Sequence, residues 1–439
     1  MRRLPLLLTT VALCGSLAGL GALGREGPPA AAPPRGADRH TAENAPGDSA
    51  LGRSISADQR RLHADPGDAA GWARLGAEYV EQARLTADSS YYPKADEALS
   101  RSLSLRPQDN PDALTGLGAL ANARHLFAVA RDFADRAIAM APLHWQAYAV
   151  LADARTQLGD DTGATEAVQG LLDRHPGTAS FTRAAYELEQ HGRVDEARQA
   201  LQQALDGSFD PADRAFCRHQ IAELDRTSGH PELALAGYRQ ALADDPSYTP
   251  ALAGQARAEA ALGDTDAAVR DYTTAIARVP LPQYLLELGE LHESLGRRPA
   301  AEEQYRLLAA EQQLAAANGV LDDLTLGQYQ ADHGDPAQAV ALLRAEWERR
   351  RSVLVADALA WALHRQGHDR EALPLAEQAQ RLGWHNALFS YHRGEIERAL
   401  GHADAAREHL GEALRTDAWF SPLLAPQARR ALADLGGTP

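Results

Sequence analysis

Cysteine and lysine are nearly missing from this sequence: Cys14 and Cys217 are its only cysteines and Lys94 its only lysine. With Cys14 in a removable leader, Cys217 would stand alone, which excludes an internal disulfide and leaves stability to packing. Cys217, set among helical residues 215–224, reads as a small, partly buried filler. Valine, isoleucine and aromatics are sparse as well; aromatics are 6% of a chain that is 45% hydrophobic, with Ala and Leu dominant. That balance argues against sheet and for helices meeting along close, small-residue seams. No cluster of cations offsets a formal net charge of −16. Such a surface repels phosphate backbones and anionic headgroups, which disfavours nucleic acid and peripheral membrane and favours basic or mixed-charge protein partners. The one basic run, Arg349-Arg350-Arg351 beside Glu346 and Glu348, reads as a solvated helix end.

Signs of catalysis are equally thin. There is no phosphate loop, and Lys94 follows a proline rather than a glycine-rich turn. His292-Glu293 lacks a second histidine at zinc-protease spacing, and no nucleophile elbow occurs. Gly116-Leu117-Gly118-Ala119-Leu120-Ala121 has the outline of a dinucleotide fingerprint, but no strand precedes it and close packing at Gly118 explains it. With no nucleophile, base and orienting group to assemble, the chain reads as a non-enzyme without cofactor. Histidine, 16 in all, is the residue that competes. His364, His368, His385, His392, His402 and His409 crowd the C-terminal part, where Asp357 or Glu395 could complete a zinc or nickel site. Gly367 breaks the helix between His364 and His368, and His402 falls in a turn; His191-Gly192 and His333-Gly334 look like ordinary polar turn caps. A metal-handling protein using the C-terminal histidines is the alternative reading.

What is present begins with an address. Arg2 and Arg3 precede an uncharged run from Leu4 to Leu23, and Ala22-Leu23-Gly24 offers small residues to a signal peptidase. Residues 1–24 therefore read as a secretory signal; an uncleaved membrane anchor and a lipoprotein signal at Cys14, with Leu13 in an awkward place, are the competing readings. The expected location is outside the cytoplasmic membrane, with membrane contact only through this segment. Residues 25–54, with Pro28-Pro29 and Pro33-Pro34, read as a disordered spacer. Ser56 is the expected N-cap of a short helix to His63.

From Ala69 the chain repeats itself about every 34 residues. One unit runs from Thr249 to Pro280: an apolar helical run, a break at Leu262-Gly263-Asp264, then Ala268, Tyr272 and Ala275 on one helical face. Similar units start near residues 69, 111, 145, 178, 215, 249, 282, 320, 353 and 387. The seventh lacks a closing proline, so its second helix is expected to run on to Asn318-Gly319. Residues 421–435 read as a terminal capping helix. Small residues at the crossing and larger ones in the seam to the next unit are a packing pattern. On this reading Ala268→Leu overpacks, costing about 1–3 kcal/mol, and Leu410→Ala leaves a void costing about 2–5 kcal/mol.

The pattern Trp72, Leu75-Gly76, Tyr79, Ala95, Leu99, Pro107 and its copies resembles the tetratricopeptide repeat family. The resemblance implies an all-α fold: a right-handed α-solenoid superhelix of about ten helix–turn–helix units over residues 55–435, open as a curved ribbon. It also implies that the first helix of each unit lines a concave groove that takes a protein or peptide partner. Carried onto this chain, the family's inward positions fall on Asn122, Asp153, Gln157, Tyr186, Glu189, His219, Glu223, Arg226, Arg257, Glu290, Gln328, Asp357, Trp361, His364, Arg365, Tyr391, Glu395 and Arg398. Their interleaved charges and rings suit a mixed-charge extended segment or helix, with Trp361, Arg365 and Tyr391 as anchors. The expectation is an exported binding scaffold without catalysis.

Overall fold

A computed structural model of the chain describes residues 49–438. The leader and most of the spacer read from the sequence lie outside the described residues. Among those described there are 22 helices and no strand, and no helix is long and apolar enough to cross a membrane.

Helix α1 (Ala50–Ala64) precedes ten antiparallel pairs, here called units one to ten. They are α2 (Ala69–Thr86) with α3 (Tyr91–Leu105), α4 (Pro111–Ala123) with α5 (Phe127–Met140), α6 (Trp145–Leu158) with α7 (Asp161–Arg174), α8 (Thr178–Gln190) with α9 (Val194–Asp206), and α10 (Pro211–Thr227) with α11 (Pro231–Asp244). Then follow α12 (Thr249–Ala261) with α13 (Thr265–Arg278), α14 (Pro282–Ser294) with α15 (Arg298–Ala317), α16 (Asp323–His333) with α17 (Pro336–Arg349), α18 (Val353–Arg365) with α19 (Asp369–Ala379), and α20 (Ala387–Ala399) with α21 (Ala403–Thr416). Helix α22 (Leu424–Asp434) covers the last pair with Ala425, Ala428, Ala431 and Leu432. The architecture is an all-α solenoid.

Local chemistry starts and stops these helices. Asn110, Asp160, Asp264 and Asp322 accept from backbone amides three residues on, satisfying donors that a helix start leaves orphaned. Proline opens α4, α10, α11 and α17, where its missing N–H costs nothing. Small residues let helices approach within and between units: a Cβ on Gly76 would lie 2.4 Å from Leu99 of the same pair, one on Gly254 2.4 Å from the Tyr238 ring of the preceding unit, and Ala268 is fully buried. Gly116 and Gly118 obey the same need, since Cβ atoms there would meet Leu99 and Val150.

Two local readings change. Helix α1 starts at Ala50, not near Ser56, because the Ser49 hydroxyl caps it by accepting from the Gly52 amide; residues 50–54 are helical, and Ser56 donates to the Gly52 carbonyl from mid-helix. Cys217 is completely rather than partly buried, and burial pushes its thiol up to about 12.

The larger correction concerns shape. The solenoid is not an open ribbon, because it winds far enough to touch itself. The turn inside unit two meets the joint after unit seven, where the Leu321 amide donates to the Arg124 carbonyl at 3.1 Å. The turn of unit three meets the joint after unit eight, with the Arg351 amide donating to the Leu158 carbonyl at 3.1 Å. In unit four Tyr186 meets Trp384 edge-on at 5.6 Å, and in unit five Gly229 abuts the Thr416 carbonyl after unit ten. Each turn thus docks on the joint five units further along. Arg350 is the keystone: 4% exposed, it donates to Glu346 and to Gln157 and lies over the Phe127 ring. Within the run read as a solvated helix end, Arg349 and Arg351 are exposed and Arg350 alone is buried in the seam.

Candidate functional site

Closure turns the concave side into a lumen of about 910 Å³ lined from units two, three and five to ten and from α22. Its wall is built mainly by first helices, since these face inward while the second helices form the outside.

The centre of the wall is a ladder of charges on α10, α12 and α14. The Arg257 guanidinium donates from Nε to both Glu287 oxygens at 2.9 Å and from Nη1 to Glu223 Oε1 at 2.7 Å. Arg226 closes on the other Glu223 oxygen at 3.0 Å, and the Tyr238 hydroxyl donates to Glu223 at 2.6 Å. The Tyr272 hydroxyl and Gln283 amide donate to Glu287. Burial works to raise the Glu223 carboxyl, yet Arg226, Arg257 and His219 outweigh it and hold it well below the usual carboxylate range. His219 sits behind this ladder against the Tyr238 and Tyr248 rings, and burial lowers its pKa.

A second cluster joins α18 and α20. Trp361 stacks on His392 at 4.2 Å and on His364 at 4.9 Å, and its Nε1 donates to Asp332 at 2.8 Å. The buried Asp357 carboxylate can only accept, so His392 donates to it from Nδ1 at 2.9 Å, while His392 Nε2 is buried without a partner. Nearby, His333 bonds Glu290 at 3.1 Å and packs on Tyr305. Burial opposes its charge, but Glu290, Asp332 and Glu293 outweigh burial and raise its pKa. This histidine is a buried partner of carboxylates, not a turn cap.

Of the residues read as inward-facing, Asn122, Asp153, Gln157, Arg226, Arg257, Glu290, Gln328 and Trp361 line the lumen. Asn122 donates to the Val150 carbonyl at 3.0 Å. Several others are displaced from it. Asp357 and Tyr391 are about 1% exposed, because neighbouring repeats cover them: Asp357 pairs with His392, and Tyr391 packs on Trp361 and Phe420. Tyr186 and Glu189 belong to the seam with Trp384. Arg365 donates to the Ala331 carbonyl, His364 pairs with Asp369 at 2.5 Å, and Arg398 pairs with the buried Glu395. As an anchor set, Trp361 remains in the wall while Arg365 and Tyr391 serve its support.

Glu287, Asp332, His333, Arg350, His392, Trp419 and Phe420 also line the lumen; the sequence placed none of them there, and read His333 as a turn cap, Arg350 as a solvated helix end and His392 as a candidate metal ligand. A signal existed for Glu287: it and Glu223 lie 30 and 34 residues from Arg257, one repeat to either side. For the metal alternative, no group of three or more His, Cys, Asp or Glu among the described residues could hold an ion. His364, His392 and His409 are each paired with a different carboxylate, Asp369, Asp357 and Glu397, so α18 to α21 distribute them instead of gathering them.

A tetratricopeptide repeat family model matches residues 253–316, which cover α13 and α14 and most of α12 and α15. Cellulose synthase 1 operon protein C of Komagataeibacter xylinus is 28% identical over 230 residues, 52% of this chain but only 14% of that protein. Among solved structures, a tetratricopeptide repeat protein of Parabacteroides merdae is 17% identical, covering 59% of this chain and 99% of its own, with a TM-score of 0.35. Yeast Tom70 is 14% identical over 87% of this chain and 92% of its own, with a TM-score of 0.38. Ten helical pairs in phase, with a matched stretch at their middle, make this chain a tetratricopeptide repeat protein.

Proposed function

We propose that this protein is an exported, non-enzymatic scaffold that holds an extended segment of a protein partner in its lumen. The observation that carries the reading is the lumen wall itself. It presents acidic groups such as Asp153, Glu290 and Asp332, arginines such as Arg226, and the Trp361 face, the mixture that reads a backbone and its alternating side chains. Acidic lining residues outnumber arginines, which favours a segment of basic balance. At about 910 Å³ the space lies at the upper end of the roughly 300–1,000 Å³ usual for ligand pockets, enough for a few extended residues and too small for a folded domain. The leader-like residues 1–24 support export.

The test is site-specific photocrosslinking in the native host. A photoreactive residue replacing Gln328 in the lumen should capture a discrete protein, Trp361→Ala should abolish the capture, and the same probe at Arg101 on the outer face should capture nothing comparable. Identical products from both probes, unaffected by Trp361→Ala, would overturn the lumen as the binding site. Intact mass of the native protein checks export: a chain starting at residue 25, a lipid on Cys14, or the uncut chain in the envelope fraction supports it. An uncut chain in the cytosol opposes it.

A further inference from the structure

The internal seam uses only half of the edges that could make it. Turns of units two to five are docked on joints five units further along, and the docking leaves a mark at their glycines. A Cβ on Gly159, Gly192 or Gly229 would stand 2.4, 2.6 or 2.8 Å from the carbonyl oxygens of Arg351, Gly383 and Thr416. The corresponding left-handed glycines of later units, Gly263, Gly296, Gly367 and Gly401, have nothing within 4 Å. Those turns form a free edge of the same construction at one end of the molecule.

The opposite end carries free joints, among them those after units one to four. There the two most exposed large hydrophobic side chains of the described residues stand: Phe209, 93% exposed, after unit four, and Leu143, 83% exposed, after unit two. In the docked seam the joint after unit nine carries an aromatic too, but its Trp384 is packed against Tyr186 of the facing unit. Phe209 is the same kind of plug without its socket.

We propose that copies of this chain join head to tail, the turn edge of units seven to ten of one docking on the joint edge after units one to four of the next. The offset seen inside the chain fixes the arrangement. A turn meets the joint five units ahead, so the joint after unit one calls for a turn five units before it, ahead of the first unit. A copy placed eleven units earlier along the same screw, with its α22 and the next copy's α1 filling the extra unit, supplies that turn as its own unit seven. The same placement serves all four joints and brings α22 of one copy against α1 of the next. Because the two edges differ, the contact is heterologous and propagates instead of closing as a dimer. Two exposed apolar plugs on a net acidic protein suit weak, concentration-dependent association.

Sedimentation velocity on the full chain tests this. Its average mass should climb with concentration up to about 200 µM, the range of weak contacts, without a plateau at dimer. Leu143→Asp with Phe209→Asp removes the joint edge, and Arg298→Glu with Arg370→Glu reverses exposed charges on the turn edge. Each double variant alone should stay monomeric with unchanged helical circular dichroism. Mixed together, they should form a dimer that grows no further, since each keeps one intact edge. A wild-type chain monomeric throughout, its plugs solvated or covered by residues 1–48 or by another protein, overturns the proposal. So does a mass that stops at dimer, or a mixture that fails to associate.

Discussion

The Arg351 amide donates to the Leu158 carbonyl at 3.1 Å, a backbone bond between two turns of the same superhelix. Beside it, Gly159 has φ +76 and no room for a side chain under the Arg351 carbonyl. Gly159→Ala should therefore open the seam, whereas Gly263→Ala, at φ +86 with open space around it, pays only the left-handed backbone cost of about 1–2 kcal/mol. Small-angle scattering should show a larger radius for the first variant alone, at unchanged helix content. Equal radii for both would mean that the seam does not hold the lumen shut.

Arg257 is the shared cation of Glu223 and Glu287. Removing it leaves two carboxylates in a closed wall, so Arg257→Ala should lose about 3–5 kcal/mol of unfolding free energy. Arg257→Lys should recover little, since an ammonium cannot span both acids with a planar fork. Denaturant titration of the three proteins checks the order. A lysine variant as stable as wild type would show that charge alone, without fork geometry, suffices.

The pH dependence should have two limbs of opposite sign. Glu223 is held below its ordinary 4.5, so its contribution is complete above 4.5 and is lost as pH falls towards the folded value. Glu189 behaves the other way. Burial first, then Glu223, push it up to about 7, against Arg226, Trp384 and Thr227. Its contribution is complete below 4.5 and lost as pH rises through about 7. Glu187 and Glu259, also raised by burial to about 7, add to that limb. Stability should peak near pH 5, Glu223→Gln should flatten the acid side, and Glu189→Gln the neutral side. Thermal midpoints from pH 3 to 8 that decline only towards acid would contradict the Glu189 assignment.

Much of the fold was legible because each unit is written locally. Ten pairs follow from recurring small residues and turn glycines, and α15 runs to Ala317 where no proline stops it. The site was legible only where the repeat itself carries it, as in Arg226, Arg257 and Trp361 on the first helices α10, α12 and α18. What could not be read is the meeting of turns. Arg350 and Gln157 are 193 residues apart, no periodicity links them, and in a run of three arginines beside glutamates nothing marks Arg350 as the one a second turn covers.

Within units, glycine and leucine at one crossing should behave as a single packing element. Leu410 is fully buried, and a Cβ on Gly394 would lie 2.8 Å from its Cγ. Leu410→Ala alone should cost about 2–5 kcal/mol through the void it leaves, and Gly394→Ala alone about 1–3 kcal/mol by overpacking. Combined, the new methyl enters the space that the leucine vacated. The double variant should be more stable than Leu410→Ala, giving a coupling of about 0.5–3 kcal/mol in a double-mutant cycle. Strict additivity would mean that α20 and α21 shift apart rather than share that space, and the close approach at Gly394 would then not be what sets their spacing.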